Sequence, residues 1–170
     1  VDAAPARARR VRYWDRAASE EGDYTAGVLL AESGGVFTVL DVLRVRRLVH
    51  EREALIRQTA ALDNQRWGHT RIVLEQEPGS AGKDSVAVSI RGLAGYSVKA
   101  ERVTGDKLTR AMPLAAQAGA GNLRLLRGAW NAELLDELAA FPNGRHDDQV
   151  DALAGAFRAL ASAERVAVSP

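Results

Sequence analysis

Val11-Arg12-Tyr13-Trp14-Asp15 is a short apolar run closed by an acid, and it reads as a strand. Arg71-Ile72-Val73-Leu74-Glu75 repeats the pattern sixty residues later and reads as a buried strand over 71–76. Between them lie two further strands, over 23–31 and 36–43, joined at the hairpin-type turn Glu32-Ser33-Gly34-Gly35. Val45, Leu48, Val49, Leu55, Ile56 and Leu62 recur at helical spacing and predict a helix over about 45–63. After the break at Pro78-Gly79-Ser80 come a helix over 81–93 and a strand over 96–100. A helix over 106–118 follows, with Pro113 as a kink point, then a short strand over 123–126. Helices over 130–140 and 147–163 close the chain, the last carrying one apolar stripe of Val150, Leu153, Ala154, Phe157, Leu160 and Ala161. Three consecutive strands followed by alternating helices and strands predict an α/β fold. Its mixed sheet combines an antiparallel three-strand meander with parallel strands and carries helices on both faces. The strand ending at Asp15 is expected to be central.

The 170 residues fit one domain, expected over 11–163, with 1–10 a linker remnant and 164–170 a tail. No cysteine is present, which excludes disulfides and thiolate metal sites. No apolar run approaches the roughly 18 residues of a membrane span, and no signal peptide is visible. A net charge of +1 is low for a broad nucleic-acid surface, but acids gathered in one site would mask basic clusters elsewhere. Such clusters are Arg7, Arg9, Arg10 and Arg12; Arg44, Arg46 and Arg47; and Lys99, Arg102, Lys107 and Arg110. Each also reads as ordinary solvated charge.

Acids at element ends carry the chemistry. Asp15 and Glu75 close strands, and Asp147 and Asp148 open the last helix. Asp23 starts a strand after the Glu20-Glu21-Gly22 turn, which would return it beside Asp15. Hard divalent cations such as Mg2+ and Mn2+ want oxygen ligands. Two-metal phosphodiester hydrolysis needs carboxylates that hold the ions about 3.5–4 Å apart. Carboxylates from distant elements must then converge, as these would. Singly, each acid also suits a turn or an N-cap. Glu77 competes with Glu75, but Glu75 ends the apolar run and Glu77 leads into Pro78. On an ideal helix Asp147 lies nearer the apolar stripe and shares a face with Asp151, while Asp148 points away. Trp14 alternates to the face opposite Asp15 and is expected in the core. Lys83, at the start of a helix preceded by Gly79-Ser80-Ala81-Gly82, is placed to meet a phosphate with the free backbone N–H groups there. Lys107 and Arg110, three apart on one helical face, form a second candidate phosphate contact.

Four motifs connect these residues to a known family: Tyr13-Trp14-Asp15-Arg16-Ala17 with Gly22-Asp23-Tyr24-Thr25-Ala26; Glu75-Gln76-Glu77-Pro78-Gly79-Ser80-Ala81-Gly82-Lys83; Thr104-Gly105-Asp106-Lys107-Leu108-Thr109-Arg110-Ala111; and Phe141-Pro142 followed by His146-Asp147-Asp148-Gln149-Val150-Asp151-Ala152. With these the chain resembles, over about 11–162, the nuclease domain of phage terminase large subunits, which has a ribonuclease H-like fold. The resemblance implies a Mg2+- or Mn2+-dependent endonuclease acting on double-stranded DNA during viral genome packaging. It implies Asp15, Glu75 and the Asp147/Asp148 pair as metal-binding catalytic acids, tilts the pair towards Asp148, and makes Asp23 auxiliary. Asp151 is then either one layer out from the metals or a solvent-facing helix acid. Implied partners are a terminase ATPase domain, the small terminase subunit and the portal protein, in the host cytoplasm. Gly79-Ser80-Ala81-Gly82-Lys83-Asp84 is too short for an ATP phosphate loop and ends in the wrong residue. Two rival readings are another ribonuclease H-like enzyme, such as a junction resolvase or RNA–DNA hybrid nuclease, and a non-catalytic module docking on DNA or portal. The Glu75–Lys83 motif argues against the first. The cost of gathering like charges without a metal argues against the second.

Overall fold

The computed structural model describes residues 1–16 and 24–165, with side chains to residue 162; the candidate Asp23 lies outside the described residues. Strands β1 (Arg9–Asp15), β2 (Thr25–Ser33) and β3 (Val36–Val45) form the expected meander. They are followed by α1 (Val49–Trp67), β4 (Arg71–Gln76), α2 (Ser80–Gly92), β5 (Val98–Arg102), α3 (Lys107–Gly119), β6 (Leu123–Leu125), α4 (Asn131–Ala140) and α5 (Asp148–Arg165). The sheet order is β5-β4-β1-β2-β3-β6, so the strand bearing Asp15 is interior, as expected. β4 and β5 run parallel to β1, and β6 parallel to β3.

Alternation along β1 divides the core. Val11 and Tyr13 face the layer of α3, α4 and α5, joined by Val28, Val73, Leu114, Leu134, Leu153, Phe157 and Leu160. Trp14 faces α1 and α2 with Ile56, Ile72, Leu74, Val86 and Leu93. Asp15 and Glu75 follow the register pair Trp14–Leu74, so the two acids end neighbouring parallel strands. They share the face of Tyr13 and Val73, over which α5 packs. Crevices outside the carboxyl ends of parallel strands are where α/β sheets build their sites.

Several boundaries move by a few residues, β1 starting at Arg9 and α1 ending at Trp67 among them, and two of the shifts have a local physical reason. The α1 helix starts at Val49, not near 45, because β3 stays paired with β2 out to Thr25–Val45. The β5 strand starts at Val98 because the Tyr96 amide closes a turn on the Leu93 carbonyl. Helix α3 continues through Pro113.

The Arg7–Arg12 cluster is not one basic surface. Arg12 is only 1% exposed and donates bidentately to Asp63 of α1 (2.8 Å twice), to Asp41 (2.8 Å) and to the Gly27 carbonyl (3.1 Å). Arg9 pairs with Glu32 at 2.7 Å.

Close approach of α5 to β1 depends on Gly155. A Cβ there would lie 2.3 Å from Tyr13 Cζ, inside the ring's contact radius. Gly155→Ala is therefore expected to destabilise by about 1–3 kcal/mol through overpacking, read as a lower urea midpoint.

Candidate metal centre

The site forms where the N-terminus of α5 passes over the ends of β1 and β4. An acid from α4 holds that N-terminus. Glu137 Oε1 accepts from the backbone N–H of Gln149 (2.7 Å) and Val150 (3.1 Å), and its Oε2 from Gln149 Nε2 (2.7 Å). Two orphan donors of the first helical turn are thus satisfied by a buried carboxylate, which also complements the helix dipole. Behind Asp148, Arg44 brings Nη2 to 4.0 Å from Asp148 Oδ2 and Nε to 3.9 Å from Glu137 Oε2. Its guanidinium lies 3.6 Å over the Tyr24 ring, which His146 meets edge-on at 5.2 Å. This gives His146 a packing role beside the site.

Asp15 sits at the electrostatic centre. Burial first, then the carboxylates of Glu75, Asp151 and Asp148, hold its carboxyl well above the usual carboxylate range. Burial also raises Glu75, against the opposing hydrogen bond from Tyr13 Oη to Glu75 Oε2 at 3.1 Å. Asp148 is raised by burial and by Glu137, with Arg44 opposing. Asp147 and Asp151 are bridged by one cation: Lys107 Nζ donates at 2.7 Å to Asp147 Oδ1 and lies 2.8 Å from Asp151 Oδ2. Arg110 reaches Asp151 at 3.5 Å.

The structure therefore sets Glu75, Asp148 and Asp151 around Asp15, while Asp147 adjoins Asp148 and meets the cluster through Lys107. The alternative of Asp151 as a solvent-facing helix acid is overturned by its 6% exposure and its position among the acids that act on Asp15. Lys107 and Arg110 both face these acids here, through the ion pairs to Asp147 and Asp151. Lys83 is exposed in the first turn of α2, the helix that packs on the opposite face of the sheet. Its helix has Gly79 as an N-cap, which supplies no side-chain cap. Glu77 lies beyond the end of β4, exposed, lining a different cavity with Arg16 and Arg52. That placement separates it from Glu75.

Three supporting residues were not read from the sequence. Tyr13 shares a strand face with Asp15, so alternation alone places its hydroxyl toward the acids. Glu137 carried a signal in its position on the apolar side of α4, beside Leu134 and Leu138. Arg44 carried none, since only the tertiary fold brings β3 against α4 and α5.

The donor set suits a hard divalent cation: it is all carboxylate oxygen, and its mutual repulsion is what a cation would relieve. As the side chains lie, no three His, Asp or Glu groups among the described residues stand in metal-holding geometry. Asp147 and Asp151 are engaged by Lys107 instead.

A family model described as the terminase RNaseH-like domain matches residues 12–160. No curated protein matches the chain significantly. Among solved structures, the large terminase nuclease from thermophilic phage G20c, with bound zinc, is similar at a TM-score of 0.66 and 19% identity. The match covers 92% of this chain and 84% of that one. The human cytomegalovirus terminase nuclease domain, Mn soaked and inhibitor bound, gives a TM-score of 0.71 at 12% identity, over 93% of this chain and 85% of that one. The large terminase of a second thermophilic bacteriophage gives 0.68 at 13%, covering 95% of this chain but 41% of that longer protein. These likenesses establish the expected ribonuclease H-like architecture. With residues 12–160 matched, the chain belongs to the terminase RNase H-like domain family.

Proposed function

We propose that this chain is a divalent-metal-dependent endonuclease that hydrolyses double-stranded DNA, the cutting part of a viral packaging motor acting in the host cytoplasm. The observation that carries the reading is the convergence of Asp15 and Glu75, from adjacent parallel strand ends, with the acids of α5, close enough to raise Asp15 well above the usual range. Asp15, Glu75 and Asp148 would hold Mg2+ or Mn2+ in a two-metal arrangement, with Asp147 and Asp151 beside them and Asp23 auxiliary. When bound, such ions supply Lewis acidity at both the attacking and the leaving oxygen of a phosphodiester. The chain's own residues do the positioning. Tyr13 orients Glu75 through its hydroxyl. Glu137 fixes the start of α5, and Arg44 backs Asp148. Lys83 and the uncapped start of α2 offer a sequence-independent seat for a DNA phosphate. Translocation itself would rest on an ATPase domain, a small subunit and a portal, as the resemblance implies.

Incubation with supercoiled plasmid and Mg2+ or Mn2+ tests the reading. Metal-dependent nicking is expected, and its absence would overturn it. A preference for an RNA–DNA hybrid would replace the duplex DNA substrate.

Metal binding has a pH signature. Asp15, Glu75 and Asp148 hold protons more tightly in the folded chain than free carboxyls do. Their contribution to stability is full below the ordinary carboxylate range and is lost as pH rises through their raised values. Metal should restore what that loss removes. At about 100 times Kd, Mn2+ is expected to add roughly 2.7 kcal/mol, or about 5–10 °C in Tm. The rise should be larger near pH 8 than near pH 5, where protons compete for the same oxygens. Differential scanning calorimetry at the two pH values checks it; a larger rise at the acidic pH would contradict it.

A further inference from the structure

Lys107 is the first residue of α3, and its ammonium does what a metal would do: it holds two carboxylates at once, Asp147 just before α5 and Asp151 in its first turn, at 2.7 and 2.8 Å. The environment favours its charged form. Burial opposes this, but the hydrogen bonds to Asp147 and Asp151 hold the ammonium above its ordinary value. It also offsets part of the repulsion that Glu75, Asp151 and Asp148 exert on Asp15. The side chain is nonetheless 50% exposed, at the rim of the cleft. Its backbone is anchored independently of it. Asp106 caps α3 by accepting from the Thr109 N–H at 2.9 Å and the Thr109 hydroxyl at 2.7 Å. The Lys107 side chain can therefore leave the acids without moving the helix. Arg110, one turn on and only 14% exposed, stays to neutralise Asp151.

We propose that Lys107 is a displaceable internal counter-ion: its ammonium holds Asp147 and Asp151 until a divalent cation takes the acid cluster, and the released ammonium then takes a phosphate of the DNA duplex. This inference rests on the proposed metal-dependent function. A lysine ammonium is a compact point charge on a flexible stem, suited to standing in for an ion and to being exchanged for one. The exchange couples the two ligands. Metal entry frees a cation for DNA, and a phosphate drawing Lys107 outward frees carboxylates for metal, so each ligand strengthens the other's binding.

Calorimetric titration of Mn2+ into the wild type and Lys107→Met, without DNA, tests the first half. The variant lacks the competing cation and is expected to bind Mn2+ about tenfold more tightly. Unchanged or weaker Mn2+ binding would overturn the proposal, because a merely bridging lysine would not compete. Lys107→Arg, which keeps the charge, should stay near wild type. Anisotropy of a short labelled phosphorothioate duplex tests the second half. Mn2+ should tighten DNA binding by the wild type several-fold more than by Lys107→Met; equal tightening would overturn the coupling. A measurement on the wild type alone covers the case of a variant that does not fold. Acylation of Lys107, followed by mass spectrometry with Lys83 and Lys99 as internal references, should rise when Mn2+ is added. No rise would overturn the displacement. Absence of Mn2+ binding by wild type and variant alike would instead bring down the proposed function itself.

Discussion

Asp15→Asn is expected to abolish metal-dependent nicking of supercoiled plasmid, with a loss on the order of 10^3-fold or more. That magnitude corresponds to about 4 kcal/mol of lost transition-state stabilisation, the several kcal/mol that metal-ion catalysis supplies. The substitution keeps the side chain's size and removes only its charge. Loss of folding is therefore not expected to confuse the result. The metal-free variant should be at least as stable as the wild type near pH 8, because burial and three neighbouring carboxylates already disfavour the charge at this position. Lost nicking with an unchanged or higher Tm is the pattern of a metal ligand. Lost nicking with a collapsed Tm would point to a structural acid, and full activity would remove Asp15 from the site. The same pair of measurements ranks the two acids at the start of α5. Asp148→Asn should cost more activity than Asp147→Asn, since Asp148 is among the charges acting on Asp15 while Asp147 turns to Lys107.

How much of this was legible depended on how local the cause was. The strands ending at Asp15 and Glu75 were readable because apolar runs and their closing acids lie within a few residues. Their adjacency followed once the chain was seen to build a meander before its parallel strands. Trp14 was placed in the core by alternation alone, and it is fully buried against α1 and α2. What escaped was set by long-range partners. Lys107 and Arg110 read as a phosphate-binding pair on a helix face, yet the acids they meet lie some forty residues on, at the start of another helix. Asp151 was ambiguous for the same reason: helix geometry placed it with Asp147, but only the packing of α3 against α5 buries it. Arg12 read as one of a basic cluster because its partners Asp41 and Asp63 lie 29 and 51 residues away.

Arg12 also carries the largest expected effect on stability. Asp63→Ala should cost about 3–5 kcal/mol, because it strips a buried guanidinium of its bidentate partner. For a domain of this size that amounts to a fall of roughly 10 °C in Tm. The Arg12 side chain is 2% exposed and Asp63 6%, so water cannot replace the lost bonds cheaply. Asp41 would remain at 2.8 Å from Arg12 Nη2, but it is 33% exposed and meets only one of the nitrogens that Asp63 serves. The large cost would belong to the orphaned charge, not to the pair as such. Replacing both members by apolar groups of similar size, as in Arg12→Met with Asp63→Leu, should therefore recover most of the loss. Chemical denaturation of the wild type, both single variants and the double variant gives the cycle. A double variant as unstable as the sum of the singles would show that the two positions act independently, and would reject this account. The consequence reaches the site, since Arg12 is three residues before Asp15 on β1 and its bonds tie that strand to α1. Asp63→Ala should lower the melting temperature while leaving the metal-dependent nicking of the still-folded protein near wild type, because Asp63 lies on the sheet face opposite the acids.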